Sequence, residues 1–165
     1  MKQVKMISMD SSTSKTGVCI WNNGIYKESY VLENNPKIKG DEKLNQMIDL
    51  VLPLIKGEHP DIVVIESVVP TRNAQSTRML QELTGAIRGF CIEYGIEYIS
   101  LRPSEWRSAV TKKYNKKPLG RKREDQKAWS LDIVNNILNV ITDSDDQCDA
   151  ILIGESYIEM CKEGR

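Results

Sequence analysis

The sequence predicts an α/β protein with a mixed five-stranded sheet that is covered by helices on both faces. Strand-like and helix-like segments alternate through the second half of the chain, as they do in sheets flanked by helices. The run "DIVVIES" (Asp61–Ser67) is nearly all β-branched, which is typical of a strand buried on both faces. A chain of 165 residues suits one domain with a proper core, so we expect residues 1–165 to form a single domain.

Three antiparallel strands are predicted at the start of the chain. Asn22-Asn23-Gly24 supplies the left-handed positions that a tight hairpin requires. A helix follows over Asp41–Ile55, where apolar residues recur with helical spacing and Pro53 is tolerated only as a kink or a late stop. The three strands are predicted at Lys2–Met9, Thr16–Trp21 and Ile25–Leu32.

Two further strands and four helices are predicted after residue 60. Gly95 closes the long second helix. Ser144 and Gln147 stand three apart, as in a capping box, so we expect the last helix to begin at Ser144. The elements are the strands Asp61–Ser67 and Ile96–Ser100 and the helices Asn73–Tyr94, a short one opening at Pro103-Ser104-Glu105, Glu124–Val140 and Ser144–Met160.

The composition excludes several classes of protein. Apolar residues make up 40% and charged residues 28% of the chain, as in ordinary soluble globular proteins. No run approaches the roughly 18 apolar residues of a membrane span, and Asp10 interrupts the apolar start that a signal peptide needs. The single histidine lies in a predicted loop, so a zinc site is not expected. Apolar surroundings favour reduced core thiols in a cytoplasmic protein for Cys19, Cys91, Cys148 and Cys161.

Positive charge is concentrated in one window of a chain whose net charge is zero. Between Ser100 and Ala128 there are ten basic and three acidic residues, a local excess of seven positive charges. Such segregation creates a basic surface that attracts a polyanion. The alternative is a solvated, mobile lysine-rich loop without a partner.

Four acidic residues, distant in sequence, are predicted to meet at one edge of the sheet. Asp10 ends the first strand and Glu66 the fourth, and ligands gather at the carboxyl ends of strands in such sheets. Asp146 and Asp149 stand three apart on the last helix, so they share one face. The helix dipole alone would favour acids at Asp145 and Asp146, but Asp149 lies beyond the first turn. Oxygen ligands select Mg²⁺ or Mn²⁺, and two such ions can activate a water for phosphodiester hydrolysis.

Four segments, in order, resemble the motifs of the RuvC family of Holliday-junction resolvases, within the ribonuclease-H-like superfamily. "MDSSTSKTG" (Met9–Gly17) is similar to the family's first-strand motif, and "IESVVPTRNAQS" (Ile65–Ser76) to the acid that ends strand four and the helix start after it. "GAIRG" (Gly85–Gly89) matches a glycine-flanked arginine, and "DQCDA" (Asp146–Ala150) has the Asp-x-x-Asp-Ala form. The similarity spans most of the chain and implies a ribonuclease-H-like fold and a bacterial or phage-encoded cytoplasmic protein.

The resemblance implies that Asp10, Glu66, Asp146 and Asp149 are the catalytic, metal-binding residues, with two Mg²⁺ ions (Mn²⁺ possible) per active site. It also implies a homodimer that binds a four-way DNA junction and nicks two strands symmetrically. This chain departs from bacterial members at Val69, where an aromatic residue often presses against unstacked bases. Its Arg-Gly motif comes a helical turn later, and the loop before the penultimate helix contains more lysine.

Basic and polar residues near the acids are candidates for DNA contacts. Phosphate contacts position a duplex without reading its sequence. For any single lysine, the alternative is a solvent-exposed side chain without a partner. The candidates are Arg72, Asn73, Arg107, Lys122, Arg123 and Lys127.

Three apolar features have more than one interpretation. Trp129 falls on an apolar helical stripe and is expected in the core, whereas Trp106, next to a basic residue, is expected in the core with base stacking as the alternative. The apolar residues between Met79 and Phe90 are spaced as a core face or a dimer face, and their excess over one helical stripe favours a subunit interface.

Three other functions compete with junction cleavage. Proteins of the actin and sugar-kinase superfamily have a similar first hairpin that holds ATP phosphates, but they need two such domains. An RNA-processing or RNA/DNA-hybrid nuclease would use the same carboxylates. A DNA-binding module without catalysis is the third alternative, which the complete set of acids disfavours.

Overall fold

The computed structural model describes residues 3–164, which contain one mixed sheet with the strand order β3-β2-β1-β4-β5. β1 pairs with β2, and β2 with β3, in antiparallel fashion, whereas β1–β4 and β4–β5 are parallel. The predicted five-stranded mixed sheet is therefore confirmed. The strands are β1 (Lys5–Asp10), β2 (Lys15–Asn22), β3 (Ile25–Glu33), β4 (Ile62–Glu66) and β5 (Glu97–Leu101). Lys2, which was included in the first predicted strand, lies outside the described residues.

Five α-helices surround this sheet. Asn23 and Gly24 adopt the left-handed backbone conformation between β2 and β3, as the predicted hairpin requires. The helices are α1 (Gly40–Glu58), α2 (Ala74–Glu93), α3 (Pro103–Tyr114), α4 (Arg123–Asp132) and α5 (Asp145–Lys162), and a π-helical turn (Ile133–Ile137) follows α4.

Each face of the sheet is covered by its own set of helices. One face packs against α1 and α2, in a core that includes Ile7, Val63 and Ile87. The other face packs against α3, α4 and α5, in a core that includes Trp21 and Val64. The predicted arrangement of helices on both faces is confirmed. The buried residues of α2 pack in the first of these cores, as one of the two interpretations of this helix predicts.

Three helix boundaries differ from the prediction. α1 continues through Pro53 to Glu58. α3 spans 12 residues, so much of the predicted basic loop is helical. The helix predicted to reach Val140 ends as an α-helix at Asp132, because the backbone shifts to a π-helical turn and Asn139 then takes a left-handed conformation.

Close packing holds α5 against the centre of the sheet. The buried hydroxyl of Ser8 donates a hydrogen bond of 2.7 Å to the carbonyl of Ala150, and the indole N–H of Trp21 donates one of 2.8 Å to that hydroxyl. A Cβ atom on Gly154 would lie 2.4 Å from Nε1 of Trp21, so only glycine allows α5 to approach this closely. The position of α5 over β1 and β2 is thereby set.

Two expectations from composition are tested by the structure. None of the helices within residues 3–164 has the length and apolar character that a bilayer crossing requires. Cys19, Cys91 and Cys148 are buried, as predicted. Cys161 is exposed, so the prediction of a core thiol is wrong at this position, which lies in the last turn of α5.

Candidate active site

Asp10 and Glu66 lie next to each other at the carboxyl ends of two parallel strands. Met9 of β1 is in register with Ile65 of β4, so the next residue of each strand, Asp10 and Glu66, extends to the same edge of the sheet. These two acids are 56 positions apart in sequence but meet because β1 and β4 are adjacent in the strand order. The predicted convergence of these strand ends is observed.

The first turn of α5 lies against the β1–β2 hairpin, and this places Asp146 beside the strand ends. Gly17 pairs with Asp10 across the hairpin, and a Cβ atom on Gly17 would lie only 1.9 Å from the backbone carbonyl oxygen of Asp146. The side chain of Ser144 caps the helix by accepting a hydrogen bond of 3.2 Å from the N–H of Gln147, as predicted. The glycine of the first motif, Gly17, thus allows the close approach of α5.

Two of the hydroxyl residues after Asp10, Ser12 and Thr16, close the hairpin turn, whereas the hydroxyl of Ser11 is buried without a hydrogen-bond partner among the described residues. The buried hydroxyl of Thr16 donates a hydrogen bond of 2.8 Å to the carbonyl of Ser12 and accepts one of 3.2 Å from the Ser12 N–H. These bonds close the turn directly after Asp10 and orient its backbone. A polar loop of this kind needs such internal bonds because its backbone groups are partly withdrawn from water.

Asp10 is the electrostatic centre of the acidic cluster. Burial raises the pKa of the Asp10 carboxyl well above its ordinary value, since a charged carboxylate is poorly solvated there. The negative charges of Asp149, Glu66 and Asp146, in that order, raise the pKa of this carboxyl further. The other three predicted acids therefore each interact with Asp10 at this edge of the sheet.

Glu66 is held by a tryptophan from α3. The indole N–H of Trp106 donates a hydrogen bond of 2.7 Å to Oε2 of Glu66, and the ring of Trp106 is fully buried. Burial raises the pKa of the Glu66 carboxyl above its ordinary value, while the Trp106 hydrogen bond and the charge of Arg107 lower the pKa in part. The predicted core position of Trp106 is confirmed, and base stacking by this side chain is excluded by its burial.

Asp149 is held in a similar way by a serine from α4. The hydroxyl of Ser130 donates a hydrogen bond of 2.7 Å to Oδ1 of Asp149. Burial raises the pKa of Asp149 to about 6, against the opposing effects of the Ser130 hydrogen bond and of Arg107. At Asp146, burial and then the neighbouring Asp145 raise the pKa above its ordinary value. A cluster of this kind accepts cations readily, because a cation relieves the mutual repulsion of the carboxylates.

Arg107 is the cation whose charge acts on the largest number of these acids. Its charge lowers the pKa of three carboxyl groups, those of Asp10, Glu66 and Asp149. Its guanidinium carbon lies 4.7 Å from the centre of the Trp106 ring, a cation–π arrangement that orients the side chain. Of the six predicted DNA-binding residues, Arg107 acts on these three acids, whereas Arg123 and Lys127 lower the pKa of Asp146.

The carboxylates have the donor type that a divalent ion prefers, but their side chains are not yet placed to coordinate one. Carboxylate oxygens are the donors that Mg²⁺ and Mn²⁺ select, and neither thiol nor imidazole takes part in the cluster. Within residues 3–164, no three acidic, histidine or cysteine side chains lie close enough together to coordinate one ion in their present rotamers. Coordination of one ion by three of these acids therefore requires rotation of their side chains. The donor type of the four acids nevertheless fits a divalent metal ion; these acids are Asp10, Glu66, Asp146 and Asp149.

The other predicted DNA-binding residues have more varied environments. Asn73 caps α2 by accepting a hydrogen bond of 3.1 Å from the N–H of Ser76, and Arg72 is exposed beside it. Lys122 and Arg123 are exposed at the start of α4. Lys127 forms an ion pair of 3.0 Å with Asp145, so its charge is already partly compensated.

Ion pairs reduce the basic excess that the sequence indicates between Ser100 and Ala128. Acids from other elements neutralise part of this charge, because α3 and the end of α4 pack beside α5. The pairs are Lys112–Glu163, Lys113–Glu155 and Lys116–Asp132. Within the part of the chain that is described, four cations of the following segment form no ion pair within 4 Å: Lys117, Arg121, Lys122 and Arg123. The basic surface is therefore smaller than the sequence alone indicates.

This chain resembles known proteins in structure rather than in sequence. No protein-family model matches the chain, and no curated protein matches its sequence. Thermus thermophilus RuvC, solved in complex with a Holliday junction substrate, superposes with a TM-score of 0.73 at 14% identity, over 98% of this chain and 96% of that chain. The chain has a RuvC-like fold.

A second structure agrees with this RuvC-like fold. The yeast mitochondrial Holliday junction resolvase Ydc2 superposes with a TM-score of 0.61 at 17% identity, over 98% of this chain and 85% of that chain. The expected ribonuclease-H-like architecture is confirmed by these likenesses. At such identities the likeness concerns the fold, and the functional interpretation depends on the side chains of this chain.

Proposed function

We propose that this protein is a metal-dependent, structure-selective endonuclease that resolves four-way (Holliday) or branched DNA junctions by paired phosphodiester nicks. In this proposal residues 1–165 form one nuclease domain, which acts in the cytoplasm of a bacterial cell or a phage-infected host. The RuvC-like fold supports the proposal, but the same fold can host other functions. The observation on which it depends is the convergence of Asp10, Glu66, Asp146 and Asp149 at one sheet edge.

Each acid has a role that follows from its position. Asp10 interacts with all three other acids, so it and these three would together hold the two proposed Mg²⁺ ions (Mn²⁺ possible). Bound ions of this type activate a water and stabilise the departing 3′ oxygen. Trp106 and Ser130 position Glu66 and Asp149 through one hydrogen bond each. These donors keep both carboxylates at the sheet edge.

Arg107 is the proposed cationic group for the scissile phosphate. Its guanidinium is oriented by the Trp106 ring and its charge acts on three of the acids, so we place it beside the phosphate that approaches the cluster. A guanidinium stabilises the extra negative charge of a pentacovalent phosphorus. Lys122 and Arg123, at the start of α4, are proposed to contact phosphates of the adjoining duplex, with Arg72, Asn73 and Lys127 as further contacts.

A four-way junction has two-fold symmetry, and two nicks across it require two active sites related by the same symmetry. A homodimer supplies these sites, so we propose that the functional protein is a dimer. Cleavage of a cruciform plasmid tests this directly. Paired nicks within the lifetime of one complex linearise the plasmid, whereas independent nicks accumulate open circles first.

Labelled DNA substrates test the proposed activity. A four-way junction, a linear duplex and an RNA/DNA hybrid are incubated with the protein and either Mg²⁺ or EDTA. We expect Mg²⁺-dependent cleavage of the junction, lost in Asp146→Asn with binding retained. The matched control is Asp145→Asn, which removes a charge from the same helical turn outside the proposed ligand set. Cleavage of the hybrid alone selects an RNA-directed nuclease, and ATP hydrolysis without any nicking selects a kinase-like domain.

A further inference from the structure

Leu119 is the most exposed large apolar side chain within residues 3–164. Its side chain is 98% exposed, compared with 55% for Val69 in the segment that follows Glu66. Leu119 lies at the tip of the segment between α3 and α4, next to Pro118 and Gly120. At this exposure the side chain contributes little to the core. Single exposed apolar side chains are common on protein surfaces, so the surroundings of Leu119 decide whether it has a partner.

The tip that bears Leu119 is held in place on both sides by α4. The indole N–H of Trp129 donates a hydrogen bond of 2.8 Å to the carbonyl of Lys116, and the amide of Gln126 donates one of 2.8 Å to the carbonyl of Gly120. A Cβ atom on Gly120 would lie 2.3 Å from a carboxylate oxygen of Asp125, so the loop backbone packs closely on α4. A preorganised tip loses less conformational entropy on binding than a mobile one.

The charges around Leu119 indicate the chemistry of its partner. Within the described part of the chain, the cations on either side of the tip, Lys117 and Arg121 to Arg123, form no ion pair. Three amino acids before the tip, Lys116 is already paired with Asp132. An isolated apolar side chain between unpaired cations matches nucleic acid, in which apolar base steps lie between phosphates.

The loop also lies close to the candidate active site. α4 begins directly after it, and Lys127 of α4 pairs at 3.0 Å with Asp145, the residue before Asp146. A DNA molecule that contacts the first turn of α5 therefore passes the start of α4. The tip of the preceding loop is within reach of the same DNA.

We propose that Leu119 is a wedge that inserts between unstacked bases at the branch point, while Lys117, Arg121, Lys122 and Arg123 bind the adjacent phosphates. The inference rests on the proposed function and adds a residue that recognises branched over linear DNA. Inserted apolar side chains separate base steps in other DNA-binding proteins, and they do so most easily where stacking is already interrupted. A junction offers such interrupted stacking, and a linear duplex does not.

A junction with 2-aminopurine at the branch point measures insertion, because the fluorescence of this base rises when it is unstacked. We expect the wild-type protein, in Ca²⁺ or EDTA to prevent cleavage, to raise the fluorescence on binding. Leu119→Ala abolishes the rise and weakens junction binding about tenfold, with little effect on duplex binding. Leu119→Met retains both properties. Ile25→Ala is the matched control, since Ile25 is 71% exposed at the opposite end of the sheet from the acids.

Two outcomes overturn the wedge alone. If Leu119→Ala cleaves and opens the junction like the wild-type protein, the loop binds phosphates only. If Leu119→Ala changes the oligomeric mass in analytical ultracentrifugation and leaves the fluorescence rise intact, Leu119 contacts a second copy of the chain. A wild-type protein that neither binds nor cuts any junction overturns the proposed function, and the wedge with it.

Discussion

The indole N–H of Trp106 donates a hydrogen bond of 2.7 Å to the carboxylate of Glu66, although the two residues are 40 positions apart. Trp106 also stacks on Trp129, with ring centres 6.2 Å apart, and carries the Arg107 guanidinium 4.7 Å from its own ring centre. One buried side chain thus positions an acid and a cation of the candidate site. Substitutions can separate the effect of Trp106 on the candidate site from its effect on core packing.

Trp106→Phe removes the hydrogen bond to Glu66 and keeps an aromatic ring in the core. Residues that orient a metal ligand typically affect metal affinity or activity about 10–100-fold. We expect half-maximal cleavage of a junction to need about tenfold more Mg²⁺, with junction binding nearly unchanged. Cleavage measured across a Mg²⁺ titration checks this.

The control for this change is Trp129→Phe, which replaces the other indole of the same stacked pair with a smaller ring. Its N–H bonds to the Lys116 carbonyl rather than to an acid. We therefore expect this variant to retain the Mg²⁺ dependence of the wild-type protein and to weaken DNA binding. If the two variants need the same Mg²⁺ concentration for half-maximal cleavage, the Glu66 hydrogen bond has no positioning role.

Asp149→Asn should stabilise the protein in EDTA at neutral pH. The pKa of Asp149 is raised to about 6 in the folded protein, above its value in the unfolded chain. Between the two values the unfolded chain releases a proton that the folded protein retains, so stability falls as the pH rises through this window. We expect the variant to melt roughly 5 °C higher at pH 7.5 and no higher at pH 4.

Asp143→Asn is the matched control, because it removes an exposed carboxylate from the segment before α5. Thermal melts of both variants at the two pH values separate a local effect from a change of net charge. A gain at pH 7.5 for Asp143→Asn as large as that for Asp149→Asn contradicts the assignment to the buried cluster.

Gly17→Ala should displace α5 from the β1–β2 hairpin. The new Cβ would lie 1.9 Å from the Asp146 carbonyl oxygen, and this neighbour is backbone that cannot rotate away. We expect a loss of at least roughly 2 kcal/mol in the free energy of unfolding and a loss of junction cleavage. Chemical denaturation measures the first effect. Gly57→Ala, at a helical position where nothing lies within 4 Å of the new Cβ, should instead stabilise by about 0.5–1 kcal/mol.

Lys122→Ala/Arg123→Ala should weaken junction binding and flatten its salt dependence. Each lost phosphate contact reduces the slope of log K against log salt by about 0.9. We expect the double variant to reduce the slope by about 2. Lys112→Ala/Lys162→Ala removes the same charge where the lysines pair with Glu163 and Glu159 at the far end of α5, and should leave the slope unchanged. Equal slopes in both double variants would place the DNA surface elsewhere.

The sheet and its acidic edge could be predicted because their signals are local. Asp10 and Glu66 each end a strand-like run, and the spacing of Asp146 and Asp149 places both on one helical face. Parallel strands then bring their carboxyl ends together whatever the details of packing. The convergence of the acids therefore follows from patterns that are visible within short segments.

The partners of these acids depend on contacts between distant elements, and the sequence does not reveal them. Trp106 reaches Glu66 across 40 positions from α3, which packs beside α5, and Ser130 reaches Asp149 because α4 packs beside α5. The same docking pairs Lys112 with Glu163 across 51 positions and so removes charge from the predicted basic surface. The sequence contains one sign of such a partner: Trp106 has an apolar ring with a single N–H donor and stands next to a basic residue.

The hydrogen bond from Trp106 also gives the protein an intrinsic optical probe of its acidic edge. The emission of an indole depends on the bond its N–H makes and on nearby charge, and here the partner is a carboxylate of the proposed metal-binding set. Trp21 and Trp129 are also buried, but their N–H groups donate to Ser8 and to the Lys116 carbonyl. A spectral change on adding a divalent ion would therefore come mainly from one ring, without any label on the protein.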